Sequence, residues 1–72
     1  MRSKQEIRAD ILIIAKNGVN KTRLVYGSYL NFKILSQHLE ELIKGNLIVK
    51  RNGKYFTTET GLCYIQHVEA IT

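Results

Sequence analysis

Asn52-Gly53, set between Ile48-Val49-Lys50-Arg51 and Lys54-Tyr55-Phe56-Thr57, constrains the fold of this chain more than any other dipeptide in it. Both residues tolerate the positive φ that a type I′ turn demands, and such a pair between two strand-like runs is the strongest short-range hairpin signal. The hairpin has helical neighbours on both sides. Before it, Phe32, Leu35, Leu39, Leu42 and Ile43 recur at helical spacing on one face, Asn31 is placed to cap the helix, and Gly45 falls at the left-handed C′ position. After it, Thr58, or Thr57 one residue earlier, can cap a last helix that runs to about Ala70.

Upstream, Ser3 and Glu6 fit a capping box, so a first helix starts near Lys4 and continues through the stripe Ile7, Ile11, Ile14 and Ala15 to a stop at Asn17-Gly18. Leu12-Ile13 widens the apolar face, which leaves a strand over residues 11–14 as the alternative; the helix is preferred because capping and the longer periodicity agree. Asn20 can cap a short second helix from Lys21 to about Tyr26, with Leu24 and Val25 toward the first helix and Gly27-Ser28 as its breaker. Leu30 and Leu35 then stand at N′ and N4 of the third helix, the pair that makes a hydrophobic staple. Three helices, a two-stranded hairpin and a C-terminal helix define an α+β, mainly helical class with the order of a winged helix-turn-helix.

A length of 72 residues leaves room for one domain, 1–72, with a core of modest size. Folds this small usually need extra stabilisation, and Cys63, the one cysteine, has no partner within the chain for a disulfide. Self-association is the remaining route. On the last helix, over 58–71, Leu62, Tyr64, Ile65, Val68 and Ile71 cover close to half the circumference, wider than the roughly 100° stripe that one core contact takes. That surplus points to a homodimer interface. No run approaches the ~20 apolar residues of a membrane span, and the N-terminus is charged where a signal peptide would be apolar, so a cytoplasmic, nucleoid-associated protein with no membrane contact is expected.

Eleven Lys and Arg against six Asp and Glu give a formal charge of +5, which favours a polyanionic partner. The distribution of the acids says more. None lies between Ile11 and Leu39 or between Leu42 and Thr58, so Lys16, Lys21, Arg23, Lys33, Lys44, Lys50, Arg51 and Lys54 stand almost without opposing charge. Recognition helices reach base edges mainly with their N-terminal residues, which makes Asn31, Lys33, Ile34, Ser36 and Gln37 the candidates for the major groove of double-stranded DNA. Glu40 and Glu41, farther along, would repel phosphate and belong away from it. Asn20, Lys21, Thr22 and Arg23 crowd the start of the second helix, where side chains and free amides together hold a phosphate. Lys50, Arg51, Asn52 and Lys54 can lay the hairpin over an adjacent minor groove or backbone; the same residues would also discourage edge-to-edge aggregation of a solvated hairpin.

Catalysis finds little in the sequence. Asp10 is the only aspartate, His38 and His67 fall in different helices, and neither a Gly-rich phosphate loop nor a zinc motif is present, so no enzyme activity, cofactor or metal is expected. Cys63 reads as a small core or interface side chain, with redox sensing or an intermolecular disulfide as the alternative. Tyr26, Tyr29, Tyr55, Phe56 and Tyr64 interleave with core positions and are expected to pack, Tyr29 least so; stacking on unpaired bases is the other use of such rings. A protein-interaction module without direct DNA binding is the rival function, because the apolar last helix could dock a different chain. Target site, direction of regulation and any small-molecule effector are not encoded legibly.

From about Ile7 to about Ile65 the chain resembles archaeal winged-helix DNA-binding proteins in which a short winged helix is followed by a dimerising C-terminal helix. The resemblance is carried by Gly18…Lys21-Thr22-Arg23, by Leu30-Asn31-Phe32, by Leu39-Glu-Glu-Leu-Ile-Lys-Gly45-Asn-Leu-Ile48, and by Tyr55-Phe-Thr-Thr-Glu-Thr-Gly61. It implies a homodimer on duplex DNA, acting in transcription regulation or as a chromatin-associated protein. The last helix here stops short of the extended antiparallel coiled coil found in many such proteins. Thr57 also stands where a larger apolar residue is usual, which predicts a loosely packed wing.

Overall fold

The computed structural model of the chain describes residues 3–71, without the side chain of Ile71. The first helix, α1, spans Lys4–Ile14, which excludes the strand alternative. Ser3 Oγ accepts from the Glu6 amide at 3.1 Å, and the same hydroxyl donates to the Glu6 carboxylate at 3.3 Å. Ile11, Leu12 and Ala15 are fully buried, Ile7 and Ile14 half-buried, and Ile13 is 42% exposed. The inward stripe is thus rotated toward Leu12 relative to the expected one. A 3-10 turn, Ala15–Asn17, ends the helix, and Gly18 follows at φ +87°.

The second helix, α2, spans Lys21–Ser28, two residues past its expected end. Gly27-Ser28 does not break it, because Gly27 packs against α1 and Ser28 is buried with its hydroxyl bonded back along the helix. A Cβ on Gly27 would stand 2.8 Å from Ile14 Cδ1, and Ser28, fully buried, donates its hydroxyl to the Leu24 carbonyl at 2.6 Å. The helix closes instead at Tyr29, in the left-handed region at φ 60°.

The third helix, α3, spans Phe32–Lys44 and buries Leu35, Leu39 and Leu42, while Phe32 and Ile43 from the expected face remain 53% and 42% exposed. Its C-terminus corrects another assignment. Gly45 has φ −80°, and the left-handed residue is Asn46 at φ 64°. The Asn46 amide donates to the Ile43 carbonyl at 3.0 Å and the Leu47 amide to Leu42 at 2.8 Å, the pattern of a Schellman motif with asparagine at C′.

The hairpin pairs β1, Ile48–Arg51, antiparallel with β2, Lys54–Thr57, in a register that sets Ile48 opposite Thr57 and Arg51 opposite Lys54. Asn52 and Gly53 take φ 51° and 78°, as the turn requires. On its other edge β2 meets Val19: the Val19 amide donates to the Tyr55 carbonyl at 3.1 Å and the Tyr55 amide to Val19 at 2.7 Å. Because Val19 immediately precedes the start of α2, this bridge fixes the wing relative to that helix. Thr57 makes the base of the wing firm rather than loose, since its hydroxyl donates to the Leu12 carbonyl at 2.6 Å.

The last helix, α4, spans Glu59–Ile71 and packs mainly against α1. Thr58 caps it, its Oγ1 accepting from the Gly61 amide at 3.1 Å while donating toward the Asn46 carbonyl at 2.7 Å. Gly61 permits the close approach of this helix to the wing base, for a Cβ there would lie 2.5 Å from the Leu47 carbonyl oxygen and 2.6 Å from Thr57 Cγ2. Leu12, Leu24, Leu35, Leu42, Ile48, Tyr55 and Ile65 meet in one core beneath these elements.

Candidate nucleic-acid interface

Two asparagine caps bring two helix starts to the same side of the molecule. Asn20 Oδ1 accepts from the Arg23 amide at 2.8 Å, and Asn31 Oδ1 accepts from the Ile34 amide at 2.8 Å. Lys21 Nζ lies 5.7 Å from the centre of the Phe32 ring, a cation–π contact that ties the first turn of α2 to the first turn of α3. Around this junction Asn20, Thr22, Arg23, Asn31, Lys33 and Gln37 are exposed, Ile34 is 40% exposed, and Lys21 and Ser36 are half-buried. The amides at each helix start add the positive end of a helix dipole to the lysine and arginine charges. Such a surface attracts phosphate, and Lys33 and Gln37 have the donor chemistry to reach base edges.

The wing presents Lys50, Arg51, Asn52 and Lys54, all exposed. Lys50 Nζ stands 5.5 Å from the centre of the Tyr55 ring, a cation–π contact across the hairpin. The Val19 bridge keeps this hairpin beside α2: Lys54 and Arg23 line a common groove with Gly18, Val19 and Asn20.

Toward the C-terminal half of α3 the chemistry changes sign. Glu41 is ion-paired with Arg8 of α1, and Arg8 Nε also donates to His38 Nδ1 at 3.4 Å. Burial, then the charges of Arg8 and Lys4, hold the His38 imidazole below its ordinary titration range and favour the neutral ring that accepts this bond. Arg8 was missed as a site residue in the sequence. The available signal was its spacing: Arg8 stands at i, i+3, i+4 and i+7 with Ile11, Leu12 and Ala15, all fully buried, and so on the inward side of α1.

On α4, Ile65 and Val68 are buried at 4% and 5% exposure within the single chain, Tyr64 is half-buried, and Leu62 remains 38% exposed. Packing on α1 already accounts for Ile65 and Val68, which narrows the outward apolar surface. The Ile71 side chain lies outside the described residues. Cys63 is exposed rather than a core filler. Tyr26 and Tyr29 also depart from the expected packing, at 75% and 90% exposure, whereas Tyr55 is buried and Phe56 and Tyr64 are half-buried. Among the described residues no helix is long and apolar enough to cross a membrane.

Capped helices meeting at a turn, followed by a hairpin bridged back to the start of α2, are the parts of a winged helix-turn-helix. The family signature of that name matches residues 1–72, and the chain belongs to the winged helix-turn-helix family. Among solved structures it is similar to Sso10a-2, described as a DNA-binding protein from Sulfolobus solfataricus, with a TM-score of 0.85 and 30% identity over 97% of this chain and 78% of that one. Among curated sequences it is 36% identical over 61 residues to the uncharacterized protein MJ0287 of Methanocaldococcus jannaschii, covering 83% of this chain. The chain spans 63% of the length of that relative.

Proposed function

We propose that this protein binds double-stranded DNA as a homodimer and acts in transcription regulation. In this reading the N-terminal half of α3 enters the major groove with Asn31, Lys33, Ile34, Ser36 and Gln37. Asn20, Lys21, Thr22 and Arg23 hold phosphates, and Lys50, Arg51, Asn52 and Lys54 lay the wing on the backbone or minor groove. The observation that carries it is the junction of two capped helix starts, held by Lys21 over Phe32 and surrounded by exposed cations in a stretch without acids. The likeness to Sso10a-2 supports the same reading, since that protein is described as DNA-binding.

The dimer rests on the exposed Leu62 beside half-buried Tyr64 and on the small size of the chain. If α4 pairs symmetrically, two recognition helices would engage half-sites about one helical turn, ~34 Å, apart. Reading and positioning residues account for the whole proposed function, and no catalytic step enters it.

The test is affinity for a duplex across a salt series, with sedimentation to report the assembly. Affinity should fall steeply with salt, and Lys33→Ala or Arg51→Ala should weaken binding while lowering the slope by about one each. A salt-independent affinity would remove the electrostatic basis of the proposal. A monomer that ignores DNA would favour the protein-interaction alternative.

A further inference from the structure

Tyr26 and Tyr29 do nothing for the core. They are 75% and 90% exposed on the last turns of α2, and each is large enough that a packing role would have hidden it. Arg23 and Tyr26 are three residues apart on α2 and so adjacent on its surface, and Tyr29 follows as the left-handed residue that closes the helix. Arg23 and Tyr26 line one groove of about 490 Å³ together with Ile14, Asn17, Val19 and Gly27. A second groove, of about 310 Å³, shares Val19 and Arg23 and continues to Lys54 of the wing. No carboxylate lines either groove.

We propose that this face of α2, from Tyr29 and Tyr26 past Arg23 to Lys54, is a track for an unpaired polynucleotide strand, with the two tyrosine rings as stacking platforms for bases. Duplex DNA hides the faces of its bases inside the stack, whereas an unpaired strand offers them. Exposed rings beside cations along a groove match that chemistry, because phosphates follow the positive charge and bases of any sequence can stack on the rings. The track lies beside the start of α3 without using its base-reading residues, and it stands whether or not α3 reads duplex DNA.

The chain has no tryptophan and two of its four tyrosines are Tyr26 and Tyr29, so the part of its intrinsic emission that is lost in the Tyr26→Ala, Tyr29→Ala variant reports these rings. Fluorescein-labelled dT20, rU20 and a mixed-sequence duplex are titrated with the full chain by anisotropy, while tyrosine emission is followed with unlabelled strands. Binding of dT20 or rU20 should quench tyrosine emission. Replacing both rings, Tyr26→Ala with Tyr29→Ala, should weaken strand binding at least about tenfold and leave duplex affinity within about twofold. Tyr26→Phe with Tyr29→Phe should keep strand affinity, since stacking needs the ring and not the hydroxyl.

Strand binding by the wild type without quenching would overturn the proposal. So would equal losses for strand and duplex in the alanine pair, or an alanine pair that changes sedimentation but not strand binding, which would assign the face to a second copy of the chain.

Discussion

The starts of α2 and α3 with the wing, and the cleft between α1 and α4, carry opposite chemistry on one small molecule. The first surface draws on the two acid-free stretches of the chain and exposes Arg23, Lys33, Lys50, Arg51 and Lys54. The second gathers Glu6, Asp10 and Glu69 around Ala9, Ile13 and Val68. Under the proposed function the contrast predicts an orientation. A polyanion drawn by the field of the first surface meets carboxylates if the molecule turns round, so the charge pattern selects one approach before any contact forms. The α1–α4 side, with its carboxylates set around apolar side chains, is then left to hold the fold. Glu41 marks the seam: it lies on α3 but is paired with Arg8 of α1.

The largest effect is expected where the two sides are joined. Gly61→Ala would drive a methyl group to within 2.5 Å of the Leu47 carbonyl oxygen and 2.6 Å of Thr57 Cγ2, both parts of the wing base. The variant should lose about 1–3 kcal/mol of stability in urea denaturation. An unchanged midpoint would mean that α4 does not hold the wing as described.

A smaller effect should separate the two sides functionally. Asn31→Ala and Ser3→Ala each remove a side-chain acceptor from a helix start, on α3 and α1 respectively. Each should cost about 1 kcal/mol of stability. Only Asn31→Ala should also weaken duplex binding at a temperature where both variants remain folded. Equal binding by the two variants would erase the distinction between the sides.

The smallest effect lies at the seam. Burial, then Arg8 and Lys4, lower the native titration of His38 below the ordinary 6.5, so the unfolded chain takes up that proton more readily than the folded one. The contribution of His38 to stability is therefore complete above 6.5 and is lost as the pH falls below it through the lowered native value. His38→Asn should flatten this part of the urea midpoint's pH dependence, measured against the wild type, and an identical pH profile would show that the ring does not report the α1–α3 contact.

What could be read from the sequence was local. Ser3, Asn20, Asn31 and Thr58 cap helices because their oxygens meet amides only a few residues away, and Asn52-Gly53 turns because of its own backbone preferences. What escaped was decided across the fold. Gly27 looks like a breaker until Ile14 is seen against it, and Ser28 looks like a loop residue until its full burial is seen. Thr57 looked too small for the wing base, yet its hydroxyl ties β2 to α1. At the candidate interface, spacing correctly set Lys33, Ile34 and Gln37 on the exposed side of α3, but it could not show that Tyr26 stays in water or that Arg8 holds Glu41. On α4 the width of the apolar face was visible, while the share of it taken by α1 was not.

The most direct measurement of the division between the two sides is amide chemical-shift mapping of isotope-labelled protein titrated with a duplex. Shifts should concentrate at Asn20 to Arg23, at Asn31 to Gln37 and at Lys50 to Lys54, with Glu6, Asp10, Val68 and Glu69 unmoved. Shifts centred on the α1–α4 cleft, with the start of α3 silent, would contradict the assignment of the DNA-facing side.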